Sequence, residues 1–172
     1  MLVAGLVVLT PAHAPATAAP PRLAPVKLAD GLSVSTPSSA SLGSGSAGTT
    51  LAGQLGTVSV SASGTLGWTA SVSISSPFTV TQDGRSATFP ADRVRYWSGP
   101  ATATSGGLGL TCTPGQLTSV LAQSLDLSRT AFACTLGIIG SSSASWRPSL
   151  VIETQAGDIA GTYTGTITHS VV

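Results

Sequence analysis

Gly67-Trp68-Thr69-Ala70-Ser71-Val72-Ser73-Ile74-Ser75 sorts by parity into two faces, with Trp68, Ala70, Val72 and Ile74 on one side and Thr69, Ser71, Ser73 and Ser75 on the other. Successive side chains of a strand point to opposite sides, so this alternation predicts a strand with one face buried and one wet. A helix would scatter both sets around its circumference. The wet face carries hydroxyls and no ionisable group, which suits a sheet that presents a surface better than one that performs chemistry.

The pattern extends in both directions. Thr57–Ser63 repeats it, with Val58, Val60 and Ala62 in one phase and serines or threonine in the other, and Ser63-Gly64-Thr65-Leu66-Gly67 reads as a hairpin link. Further short runs at Leu32–Thr36, Ser86–Phe89, Arg93–Trp97, Leu108–Cys112, Ala131–Gly137, Trp146–Glu153 and Thr162–Val171 are punctuated by Gly, Pro and Ser. Regular spacing of this kind predicts an all-β chain: a single antiparallel β-sandwich, immunoglobulin-like or related, of about nine short strands. The one helical competitor is a stripe of Leu117, Val120, Leu121 and Leu125, read as a short helix near 117–125 or a loop. Ser98–Gly107 is long and small-sided and reads as an exposed loop.

Composition narrows the function classes. Only 8% of the 172 residues are charged, against roughly 25% in an average soluble domain, so the wet surface must be built from Ser, Thr and Gly. The formal charge is +1 and the seven basic residues are dispersed, which argues against an electrostatic nucleic-acid binder. Asn is absent, so no Asn-linked glycan acceptor exists. Leu2–Leu9 is an apolar run too short to span a bilayer but suited to the centre of a signal peptide, and Ala16-Thr17-Ala18 is a small-x-small cleavage pattern. No Lys or Arg precedes the run. The expected organisation is a signal peptide over 1–18, a Pro-rich extended leader over 19–31 and one domain over 32–172, with no membrane span in the mature chain and no sorting or lipid signal.

Cys112 shares its phase with Leu108 and Leu110, and Cys134 with Phe132 and Leu136, so both thiols are expected to point inward. In an exported chain this pairing predicts a disulfide, against two buried thiols or a redox pair. Gly43-Ser44-Gly45-Ser46-Ala47-Gly48 has the letters of a dinucleotide-binding turn without the helix that must follow it, and reads as a flexible loop. His169 would be the lone histidine of the mature chain, in phase with Tyr163, Ile167 and Val171, and reads as a core-edge residue. No second ligand at recognisable spacing accompanies it, so neither a metal site nor a cofactor is expected. One histidine and scattered acids also give no triad, so the chain is read as no enzyme, with a secreted hydrolase as the least supported alternative. Arg93, Arg95 and Trp97 share one phase opposite Val94 and Tyr96 and form the candidate surface contact, weighed against a Trp97 tucked beneath the following loop. Trp146 alternates with Pro148, Leu150 and Ile152 and is assigned to the core.

Gly67–Ser73 and the closing Ala160-Gly161-Thr162-Tyr163-Thr164-Gly165-Thr166-Ile167-Thr168 together resemble the WxL-type surface domains of Gram-positive bacteria, loosely from Leu32 to Val172. Trp146-Arg147-Pro148-Ser149-Leu150 and Ala156–Gly161 fit the same pattern. The family-motif positions are Trp68, Ala70, Tyr163 and His169. Ala70 stands where the family has Leu, and His169-Ser170-Val171 where a second Trp-x-Leu is expected, so both motifs are degraded. The resemblance implies a secreted, non-catalytic module associated with the cell surface or wall, binding peptidoglycan or another envelope glycan noncovalently. The alternative is an adhesin or surface-assembly subunit that acts through contacts with an envelope protein, motivated by the Pro-rich leader and by strand pattern running to Val172. The sequence specifies no oligomeric state.

Overall fold

The alternation around Trp68 belongs to one very long strand. A computed structural model describes residues 31–172 together with the backbone of Leu2–Ala4 and Val7–Val8; the cleavage pattern Ala16-Thr17-Ala18 and the leader over 19–30 lie outside the described residues. In chain order the strands are β1 (Leu2–Ala4), β2 (Val7–Val8), β3 (Ser33–Ser35), β4 (Thr50–Gln54), β5 (Val58–Gln82), β6 (Arg85–Thr88), β7 (Val94–Trp97), β8 (Ala101–Gly106), β9 (Thr111–Pro114), β10 (Gln123–Ser124), β11 (Arg129–Trp146), β12 (Ser149–Glu153) and β13 (Thr164–Val171). The large sheet runs β1-β13-β5-β11-β8, with β2 also on β13, β3 and β6 on β5, and β9 on β11. The small sheet runs β10-β7-β12-β4. Among the described residues all pairings are antiparallel and no helix reaches seven residues, and the sheets curl into a half-barrel, sandwich-like arrangement.

The core lies between the sheets. Val58, Val60, Ala62, Trp68, Ala70 and Val72 of β5 and Phe132, Cys134, Ala144 and Trp146 of β11 are buried, facing Val94 and Tyr96 of β7 and Leu150 and Ile152 of β12. Burying each large side chain contributes roughly 1.5–3 kcal/mol. The Trp146 ring stacks on Phe132 at 4.8 Å and on Trp68 at 6.5 Å between centroids, so both halves of the long ribbon share one aromatic centre.

Three local expectations are corrected. The hairpin link at Ser63–Gly67 is a corner inside β5, which runs unbroken from Val58 to Gln82. Gly64 takes a positive φ of 73°, and β11 opposes the corner with extra residues, shifting register between Thr135 and Gly140, so the glycine is absorbed as a bulge that bends both strands. Gly67 tolerates no side chain there, because a Cβ would sit 2.6 Å from the carbonyl oxygen of Cys134. The Leu117–Leu125 stripe yields only a three-residue 3₁₀ turn, Ser119–Leu121; Leu117, Val120 and Leu121 face solvent, and Leu125 alone enters the core. The expected loop Ser98–Gly107 contains β8, whose residues are all exposed and so carry no alternation to betray a strand.

Candidate functional site

Two outer faces are available for contact, and they differ in chemistry. On the small sheet, Arg93 closes a 3₁₀ turn ahead of β7 and Arg95 lies within it. Arg93 grips Asp158 with two N–H···O bonds of 2.9 and 3.1 Å and lies 5.2 Å from the Phe89 ring centroid. Desolvation pushes the Asp158 carboxyl up, but the hydrogen bonds from Arg93 and the Gln155 N–H outweigh it and hold the group below the usual carboxylate range. Arg95 donates to the Ala122 carbonyl at 2.7 Å and to Glu153 at 3.4 Å. The two guanidinium groups expected to await a partner are thus engaged within the chain. Trp97 is half-buried at the end of β7, opposite Ser149 of β12.

The large sheet presents hydroxyls in register. Ser33 of β3 faces Ser61 of β5, Ser61 faces Ser143 of β11, and Ser143 faces Ser105 of β8. The neighbouring row is Ser35, Ser59, Ser145 and Ala103, with the Ser59 and Ser145 hydroxyls 2.8 Å apart. Strand spacing sets the backbone positions that carry these hydroxyls about 4.8 Å apart across the sheet and about 7 Å apart along it. Beyond the corner the pattern resumes as Thr130, Ser71 and Ser170, and Thr168 donates to Ser75 at 2.7 Å. Residues 54–82, 98–125 and 130–146, which supply most of this sheet, contain no Asp, Glu, Lys or Arg. The parity of single strands reveals hydroxyl faces. The cross-strand rows depend on register between distant segments, which one strand's sequence does not carry.

The family-motif positions are inward. Trp68 is buried and its Nε1–H donates to Ser142 Oγ at 3.1 Å; Ala70 is buried between Phe132 and Val171. Tyr163 stacks on Phe89 at 3.9 Å and donates its hydroxyl to the Ile159 carbonyl at 3.0 Å. His169 is buried on β13. Trp146 Nε1–H donates to Tyr96 Oη at 3.3 Å, which leaves the tyrosine O–H to donate to His169 Nε2 at 3.1 Å. This chain joins the two sheets across the core. It fits a neutral imidazole, and burial pushes the histidine pKa down to about 4 while pushing the Tyr96 hydroxyl well above its ordinary value.

Cys112 and Cys134 are bonded, directly opposite each other on β9 and β11 with Cα atoms 4.1 Å apart. Cys134 is buried and Cys112 half-buried. Leu108, expected inward with them, is 81% exposed, because Gly107–Gly109 turns between β8 and β9 rather than continuing the strand. Gly43–Gly48 is an exposed loop leading into β4. Among the described residues no group of three His, Cys, Asp or Glu is placed to hold a metal ion, and no helix is long and apolar enough to cross a membrane. Comparison with family models, with curated proteins and with solved structures finds no match.

Proposed function

We propose that the chain is a secreted, non-catalytic surface module that associates with the cell wall by binding peptidoglycan or another envelope glycan noncovalently, as its resemblance to WxL-type domains implies. The observation that carries this reading is the pair of serine rows across β3, β5, β11 and β8. A glycan is a repeating, hydroxyl-rich polymer, and a flat, repeating, uncharged array of hydroxyls offers it hydrogen bonds at many equivalent positions without desolvating a charge. The buried motif residues would then shape the sheet, and the ligand would meet the serines.

Purified protein mixed with isolated sacculi tests this. It is expected to co-sediment, and Ser61→Glu with Ser143→Glu, which places two carboxylates in the middle of one row, is expected to stay in the supernatant with its fold unchanged by circular dichroism. Wild-type protein that remains soluble while a known wall binder pellets would overturn wall association. Equal pelleting of both forms would remove the serine face from the contact.

A further inference from the structure

The outer edge of β13 is occupied by strands from the chain's own N-terminus. β13 pairs with β5 along one side, and along the other it accepts two short antiparallel strands from the N-terminal apolar run: Leu2–Ala4 opposite Val171–His169, and Val7–Val8 opposite Gly165–Thr164. Edge strands usually carry devices that discourage pairing, such as a proline, a charged residue, a bulge or a covering segment. Thr164-Gly165-Thr166-Ile167-Thr168-His169-Ser170-Val171 has no proline and no Asp, Glu, Lys or Arg. The opposite edge of the same sheet differs: every residue of β8 is exposed, so a strand added there would extend no core. On β13, Gly165, Ile167, His169 and Val171 are all buried, so a strand added there continues the apolar layer.

We propose that the β13 edge is a strand-acceptor site, occupied in cis by the apolar run, which pairs with β13 of a second copy once that run is removed; this rests on the export reading above. A two-fold axis through Ile167 sets the two β13 strands antiparallel, the orientation the cis strands already adopt. In that register Thr166 faces Thr168 of the partner subunit and Thr164 faces Ser170 of the partner subunit. Hydroxyls meet hydroxyls on the outer face, while on the inner face Ile167 meets Ile167 of the partner subunit and Gly165 meets His169 of the partner subunit, and no like charges oppose. Closure about the axis leaves no free β13 edge, which favours a dimer over a filament. The consequence is a continuous sheet through both copies, with the serine rows of each on one extended surface.

The test uses the full chain with a specific protease site inserted after Ala18, followed by light scattering before and after cleavage at several concentrations. The mass is expected to double on cleavage, and Thr166→Lys with Ser170→Lys is expected to hold the cleaved chain at monomer mass with an unchanged circular dichroism spectrum. A cleaved, folded chain that stays monomeric, or a dimer indifferent to the two lysines, would overturn the proposal. Should cleavage unfold the chain, uncleaved Val3→Pro with Val7→Pro, which disrupts the cis strands, is expected to dimerise by itself; a folded monomer there would overturn the proposal equally. The export premise fails separately, if mass spectrometry of protein from the host finds Leu2–Val8 still attached. Sacculus binding is read independently of mass.

Discussion

The outer faces of the two sheets stay wet by opposite means. The small sheet carries Arg93 and Arg95, each bound to an acid and to backbone, so its charges are fixed and internally balanced. The large sheet carries rows of serine and threonine with charge confined to its margins, at the Asp83–Arg85 turn and at Arg129 where β11 begins. An ion-paired face has its hydrogen-bonding capacity committed. A hydroxyl face keeps donors and acceptors facing water, available to exchange for a ligand, and its character changes with neither pH nor salt. That difference is why the large sheet, and not the Arg–Trp strip, is the better candidate contact.

The largest test asks whether pH reaches the large sheet at all. Its route is the core, through His169, whose pKa is about 4 in the fold against 6.5 when unperturbed. Between those values the unfolded chain binds a proton that the folded chain refuses. Stability therefore declines as pH falls from about 6.5 and levels off below about 4, with a total loss of about 3 kcal/mol. Urea unfolding across that range should show the slope in wild type and a flattened one in His169→Gln. An unchanged slope in the variant would place the titrating group on a face rather than in the core.

A smaller effect is expected on the small sheet. Removing the Arg93 guanidinium in Arg93→Ala should cost about 1–2 kcal/mol, above the range of exposed ion pairs because this one is bidentate and largely covered. The carboxyl of Asp158 should then lose the partner that holds its pKa down and titrate at higher pH, which a carboxyl NMR titration reads directly. If stability and the Asp158 titration both stay put, the ion pairs are not what fixes this face, and the contrast with the serine face weakens.

How much of this was legible depended on whether the signal was local. Trp68, Ala70 and Val72 announced their strand and its buried side from parity alone, and Thr69, Ser71 and Ser73 announced the wet side. The phase of Cys112 and Cys134 predicts their pairing, although Leu108, in the same phase as Cys112, sits on a turn and points outward. The corner at Gly64 reads in sequence as a hairpin link because a glycine that reverses a strand and one that bends it look the same there. Only β11 on the far side, with its own bulge, decides between them. β8 was hidden for a different reason: exposed on both faces, it has no period to read. Leu117, Val120 and Leu121 gave a helical period without a helix, since those side chains find no core to face.

The smallest expected effect bears most directly on which face meets a partner. Ser59 and Ser145 share a hydrogen bond of 2.8 Å across β5 and β11, and both are half-exposed. Replacing both with alanine removes donor and acceptor together, leaves each Cβ in place and leaves no buried group unsatisfied. The stability change should stay within about 0.5 kcal/mol. Sacculus binding should fall by more than that change accounts for, because the ligand loses two hydroxyls from the centre of a row while the fold loses almost nothing. A stability loss above about 1 kcal/mol would mean that hydroxyl pairing holds β5 to β11, making the rows a structural lattice like the ion pairs of the small sheet. The two faces would then differ in composition and not in purpose.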